Sequence, residues 1–65
     1  MFILKHKHSG YDFYLTPGMM VGRFSHGYAG NAVRFKTILD AKFVLADYFT
    51  NTRFTLEDDY EPVEV

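Results

Sequence analysis

The sequence contains no cysteine, no tryptophan and only two prolines among its 65 residues. Without cysteine, the fold has no disulfide to stabilise it, and zinc has no thiolate ligand. The longest apolar runs are four residues, such as 43–46, which is too short to cross a bilayer. The first residues become charged at Lys5 without a signal-peptide apolar region. We therefore expect a cytoplasmic protein with no membrane partner.

What the sequence does contain is a surplus of aromatic residues, with seven phenylalanines and five tyrosines. A domain of this length buries about 60% of the surface that its unfolded chain exposes, so its core is small. Such a core cannot enclose every aromatic ring. Since a cluster of exposed rings is typical of a contact surface, this surplus favours a binding role.

Charge is distributed unequally along the chain. Residues 1–36 hold five basic residues and one acidic residue, whereas residues 37–65 hold two basic and seven acidic residues. Five of the last ten residues are acidic, and acidic ends that contain proline usually lack a packing partner. We predict a single domain over residues 1–56, followed by a solvated acidic tail over residues 57–65.

Alternation and turn residues predict three strands in the first half of the chain. These are 2–8, 11–16 and 19–24, with a tight turn at Ser9 and Gly10. Pro17 and Gly18 fit the central positions of a type II turn. Glycines interrupt residues 25–31, which we predict to be a loop, and residues 32–35 are short and extended.

The strongest helix signal begins at Thr37, which can cap a helix whose first turn contains Asp40. We predict a helix over 38–49, a left-handed stop at Asn51 and a last strand over 53–56. The order is then βββαβ. This pattern predicts an α+β fold in which one helix packs on one face of a small antiparallel sheet of three to four strands.

The predicted helix carries two apolar stripes. One is its core stripe, formed by Ile38, Ala41, Leu45, Tyr48 and Phe49. The other is smaller: Leu39 and Phe43, flanked by Ala46 and Asp47, lie well away from the core stripe. Either the loop 25–31 or the C-terminal tail covers this second stripe, or it is a surface for a partner or for self-association.

Catalysis and metal binding are weakly supported. The serines are Ser9 and Ser25, and adjacent residues such as Ser25 and His26 point to opposite faces of an extended segment. His6 and His8 share a strand face and His26 could join them, but a structural zinc site needs four ligands. We predict no catalytic residue, no metal and no cofactor.

A single-stranded nucleic acid is an alternative partner. Proteins of that kind interleave basic side chains with aromatic rings that stack on bases. The residues that would serve this role are Lys5, Lys7, Tyr14, Arg23, Tyr28 and Arg34. Glycine-rich phosphate loops are absent from the sequence.

One segment, in which Ala32, Phe35, Thr37 and Ala41 have the spacing Ala-x-x-Phe-x-Thr-x-x-x-Ala, resembles small phage-encoded α+β proteins. Those with an assigned role tend to bind and block a host protein. The resemblance therefore implies an inhibitor or modulator of a host protein, active in the bacterial cytoplasm as part of host takeover or anti-defence.

These observations together predict a small non-enzymatic binding protein. The alternatives are the nucleic-acid module above and a homo-oligomeric structural protein. We expect two surfaces to form the protein-binding site: the second helix stripe and the acidic residues after it. Their residues are Leu39, Phe43, Ala46, Asp47, Glu57, Asp58, Asp59 and Tyr60.

Overall fold

The fold is that of a computed structural model, which describes residues 1–8, 12–20 and 22–65. Over these ranges, four strands form one antiparallel sheet in the order β3-β2-β1-β4, which confirms the α+β class. The elements in chain order are β1 (Phe2–His6), β2 (Tyr14–Pro17), β3 (Phe24–Gly27), a 3-10 helix (Ala29–Asn31), α1 (Ile38–Thr50), α2 (Leu56–Asp59) and β4 (Tyr60–Glu64).

The core lies between α1 and one face of the sheet. It is built from six side chains that are at most 5% exposed: Leu4, Leu15, Phe35, Ala41, Leu45 and Tyr60. Tyr48 and Phe49 pack against this cluster. Four of the five residues of the predicted core stripe are therefore confirmed, whereas Ile38 is half-buried and lies outside this cluster.

The segment before α1 enters the sheet between two strands. β1 and β2 are paired at Lys5 and Tyr14. Beyond that point, Phe2 and Phe35 exchange two backbone hydrogen bonds of 2.6 and 2.8 Å, and the Val33 N–H donates to the Leu15 carbonyl at 3.0 Å. This insertion carries the Phe35 side chain into the core and confirms the predicted extended segment.

The hairpin between β2 and β3 differs from the prediction. Pro17 is the last residue of β2 and lies opposite Phe24, so a type II turn centred on Pro17 and Gly18 is wrong. The chain reverses later, where the Arg23 N–H donates to the Met20 carbonyl and Gly22 has a φ of 79°. The third strand is accordingly 24–27 rather than 19–24, and it occupies part of the predicted loop. The predicted turn at Ser9 and Gly10 lies outside the described residues, as does residue 11, where the second strand is predicted to start; the observed β2 starts at Tyr14.

The Gly18→Ala variant is expected to be destabilised by about 1–3 kcal/mol, because the closed hairpin has no room for a side chain there. A Cβ at Gly18 would lie 2.7 Å from both the carbonyl carbon and the carbonyl oxygen of Arg23. Gly30→Ala is the matched control, since a Cβ there meets nothing within 4 Å. Urea unfolding of both variants checks this, and equal stabilities would contradict it.

Local signals set the start of α1, but not its end. The Thr37 hydroxyl accepts a hydrogen bond from the Asp40 N–H at 3.1 Å, as predicted. The predicted left-handed stop at Asn51 is wrong, because its φ is −99°. Instead, the Asn51 side chain donates to the Asp47 carbonyl at 3.0 Å and so satisfies one of the last carbonyls of the helix.

The C-terminal residues are the largest departure from the prediction. The last strand is not 53–56, because Thr55 caps α2: its hydroxyl accepts from the Asp58 N–H at 3.1 Å, and Asp59 Oδ2 accepts from the Thr55 N–H at 2.8 Å. β4 follows at once and pairs with the whole of β1, from Phe2 opposite Glu64 to His6 opposite Tyr60. The residues predicted to form a solvated tail over 57–65 thus contribute a short helix and an edge strand of the sheet.

In the described part of the chain, no helix combines the length and the apolar character needed to span a membrane.

Candidate protein-binding surface

An apolar ridge lies along the outer side of α1. Leu39 is 62% exposed and Phe43, one turn later, is 74% exposed. Ala46 is also exposed and continues the ridge at the next turn. We call Leu39, Phe43 and Ala46 the α1 stripe.

The α1 stripe faces away from the body of the protein. Phe43 and Leu45 are two residues apart, and two residues rotate about 200° round a helix. Because Leu45 has no exposed surface, Phe43 must point outwards. The two segments that were candidates to cover the α1 stripe lie elsewhere. The first part of the predicted loop belongs to β3, which pairs with β2, and most of the predicted tail belongs to β4, which pairs with β1. Among the described residues, neither the predicted loop nor the predicted tail buries the α1 stripe.

Opposite charges flank the α1 stripe. Asp40 and Asp47 lie on one side of it, and Lys42 lies on the other. The Lys42 ammonium is 3.3 Å from Glu57 Oε1, which brings the predicted acidic residue Glu57 to the edge of the surface. A hydrogen bond from its own backbone N–H, together with the Lys42 ammonium, lowers the pKa of the Glu57 carboxyl.

The three other acidic or aromatic residues predicted to bind a partner, Asp58, Asp59 and Tyr60, are not part of the α1 stripe. Asp58 is exposed. Asp59 is partly buried and accepts the hydrogen bond from the Thr55 N–H described above, and its Oδ1 lies 3.3 Å from His8 Nε2. Tyr60 is 1% exposed, so its prediction as a partner-binding residue is wrong: its ring is part of the core.

Three basic side chains of the predicted nucleic-acid set, Lys5, Lys7 and Arg23, lie beside acidic or carbonyl groups of the protein. The Lys5 ammonium lies 3.2 Å from Asp12 Oδ1, whose hydrogen bond and charge raise the pKa of Lys5. The Lys7 ammonium donates to the Glu57 carbonyl at 2.9 Å. Arg23 lies in the β2–β3 turn, beside a cavity that it shares with Asp47.

Tyr14 lies directly opposite Lys5 in the pairing of β1 with β2, so these two members of the set are neighbours. Tyr14 is half-buried on the sheet face opposite α1, because its neighbour Leu15 points into the core. Arg34 is exposed beside the buried Phe35, and Tyr28 is 81% exposed after β3. The carboxylates near Lys5 and Arg23 weaken any attraction of this set to a polyanion.

Sequence reasoning left open whether the histidines meet, and the structure brings them together beside the core. The His6 ring centroid lies 5.7 Å from that of His26 and 5.9 Å from that of His8. His26 stacks on Tyr60, and its Nε2 is 2.5 Å from the Tyr60 hydroxyl. Within residues 1–8, 12–20 and 22–65, no group of three or more histidine or acidic side chains could hold a metal ion.

Burial of His26 should make the fold sensitive to acid. Burial, and secondarily the neighbouring His6, lower the pKa of His26 below its ordinary value of 6.5. The unfolded chain then binds the proton more readily, so this group's stabilisation is complete above pH 6.5 and is lost as the pH falls below it. We expect the free energy of unfolding to decrease over that range.

A substitution isolates this effect. His26→Gln keeps a polar side chain that does not titrate, so the acid-induced loss of stability should be smaller than in the wild type. Met19→Gln, at a fully exposed position that does not titrate, is the matched control and should keep the wild-type dependence. Urea unfolding at pH 7.5 and at pH 5.5 measures both, and an unchanged slope in His26→Gln would refute the assignment.

The sequence patterns also did not single out several exposed apolar side chains, among them two methionines and a valine. Met19 and Met20 are both exposed near the β2–β3 turn, and Val44 is 57% exposed on α1. Val44 is about 100° round the helix from Phe43 and so lies off the α1 stripe. Its comparable exposure makes it a natural control for Phe43.

Comparison of the chain with protein-family models, curated proteins and solved structures finds no match.

Proposed function

We propose that this chain is a small non-enzymatic binding protein that docks on another protein through the α1 stripe. The observation that carries the proposal is the exposure of Leu39 and Phe43 on the side of α1 that faces away from the core. An exposed leucine or phenylalanine alone needs no explanation. Two such side chains one turn apart, continued by Ala46, form a contiguous ridge.

The spacing of the α1 stripe suits a particular mode of recognition. Its residues are at positions i, i+4 and i+7 of one helix, which are the anchor positions of a helix that binds in a groove of its partner. Phe43 is the central and largest of them, and buried aromatic anchors carry much of the binding energy of an interface. Asp40, Asp47 and Lys42 supply a charged rim, as is usual round an apolar interface core.

The resemblance of the segment 32–41 to small phage proteins favours a host protein as the partner. In this proposal, the chain binds its target stoichiometrically in the bacterial cytoplasm and inhibits or modulates it. Host takeover or anti-defence is the corresponding biological role.

The test is capture of a partner from bacterial lysate by the tagged full-length chain, with and without nuclease and at two salt concentrations. Wild type is compared with Phe43→Asp and with Val44→Asp, an equally charged change on the same helix. A discrete protein that resists nuclease and salt, persists with Val44→Asp and disappears with Phe43→Asp would support the proposal.

Two results would overturn it. One is capture of the same protein by Phe43→Asp as by the wild type. The other is recovery of nucleic acid alone, lost at high salt because binding to phosphates releases counterions. That second result would move the function to the basic and aromatic residues of the first half.

A further inference from the structure

The exposed side of α1 has the spacing of a coiled-coil seam. The α1 stripe continues to Thr50, so the positions are 39, 43, 46 and 50, with intervals of four, three and four residues. This is the alternation of d and a positions in a heptad repeat. Thr50 is compatible with the seam because its hydroxyl already donates to the Ala46 carbonyl at 2.8 Å.

The charges beside this seam are also those of a coiled coil. In the same register, Lys42 is a g position and Asp47 is the following e position. In a parallel pair of helices, a g residue lies beside the e residue five positions later on the other helix, and such pairs set partner choice and orientation. Lys42 and Asp47 are five positions apart and have opposite charges.

We infer that a second copy of this chain docks on the α1 stripe, with the two α1 helices parallel and Lys42 of each copy beside Asp47 of the other. The inference rests on the proposed function, because it concerns the surface that the host protein would use: the second copy occupies the α1 stripe when no host protein is bound. The resulting dimer has two-fold symmetry, so each contact occurs twice.

Charge selects the parallel arrangement over the antiparallel one. In an antiparallel pair, g positions face g positions and e positions face e positions. Lys42 would then face Lys42, and the Asp40 and Asp47 side of one helix would face the same acidic side of the other. Like charges in contact oppose pairing, whereas the parallel arrangement places unlike charges together on both sides of the seam.

The rest of the fold leaves room for this dimer. Ala41 and Leu45 hold the body of each copy on the side of α1 opposite the α1 stripe, so the two bodies lie on the outside of the helix pair. The Lys42–Glu57 ion pair does not prevent exchange of partners. Both side chains are more than half exposed, and exposed ion pairs of this kind contribute little to stability.

The first experiment measures association of the full chain by sedimentation equilibrium from micromolar to millimolar protein. The wild type should dimerise weakly, because a seam of four residues is short. Phe43→Asp should raise the dissociation constant about 30-fold or more, as expected for loss of a central anchor. Val44→Asp, outside the seam, should leave it nearly unchanged, and circular dichroism checks that both variants are folded.

The second experiment tests the orientation by exchanging charges. Lys42→Glu alone and Asp47→Lys alone each place like charges together in the parallel dimer and should weaken it about fivefold. The double variant, with both substitutions, restores opposite charges and should dimerise like the wild type. In an antiparallel dimer, like charges face each other in the wild type, in both single variants and in the double variant, so the single variants should not weaken association.

Each outcome decides the inference. It is supported by dimerisation that Phe43→Asp weakens, that each single charge variant weakens, and that the double charge variant recovers. It is overturned by a wild type that stays monomeric at millimolar concentration, by a dimer indifferent to Phe43→Asp, by single charge variants that dimerise like the wild type, or by a double variant that does not recover. A monomeric wild type overturns the second copy as partner and leaves the proposed function to its own test, the Phe43-dependent capture of a different protein.

Discussion

Replacing Tyr60 by alanine is expected to reduce the free energy of unfolding by about 3–5 kcal/mol. The Tyr60 ring is 1% exposed, packs against Phe49 and Phe54, and stacks on His26. Its removal leaves a cavity where β4 begins. Since whole domains are stable by only about 5–15 kcal/mol, a domain of this size should unfold largely or completely. Urea unfolding followed by circular dichroism measures the loss.

Tyr60→Phe separates the ring from its hydroxyl. This variant keeps the packing and removes the partner of His26 Nε2, so it should be destabilised by only about 1 kcal/mol. Glu64→Ala, at the exposed far end of β4, should change stability by less than about 0.5 kcal/mol. A small effect of Tyr60→Ala would instead mean that residues after 56 do not pack on the sheet, as the composition alone had predicted.

The position of β4 was missed because composition outweighed a local signal. Acidic residues and Pro62 indicated a solvated tail, but an edge strand tolerates both. β4 pairs with β1 on one side, and charge and proline on an edge strand prevent unwanted pairing with other chains. The spacing of Thr55 and Asp58 in the sequence is that of a helix N-cap. This signal indicates that the predicted last strand cannot extend past residue 55.

Features with local causes were predicted more accurately than features that depend on distant partners. The Thr37 cap and the buried positions Ala41 and Leu45 follow from residues within a few positions of one another. The limits of β2 and β3 depend on a hairpin that reverses near Gly22 rather than at Pro17. Pairing register is not fixed by alternation when two possible turns lie within a few residues of each other.

The candidate surface shows the same division. Helical spacing was sufficient to separate Leu39 and Phe43 from the core stripe. Whether Leu39 and Phe43 are exposed depends on where residues 25–31 and 57–65 lie. The sequence patterns predicted a loop and a tail for these segments, and both predictions were wrong in part. The assembly of His6 and His26 round Tyr60 joins three strands, so no spacing along the chain could predict it.

Alanine substitutions on the two faces of α1 should change the free energy of unfolding by very different amounts. Leu45→Ala is expected to reduce the free energy of unfolding by about 2–5 kcal/mol, because Leu45 is completely buried and its removal leaves a cavity. Phe43→Ala, two residues earlier, should change it by less than about 0.5 kcal/mol at low protein concentration, because its ring is exposed.

Urea unfolding of both variants at low micromolar protein tests this contrast. Repeating the measurement at millimolar protein tests whether association adds to the stability of the folded state. If the α1 stripe serves association, the wild type gains stability with concentration and Phe43→Ala does not, since a partner that binds only the folded state stabilises it. Equal destabilisation by the two substitutions at low concentration would contradict the outward position of Phe43. It would also remove the basis for a binding surface on α1, because a side chain that stabilises the monomer is not available to a partner.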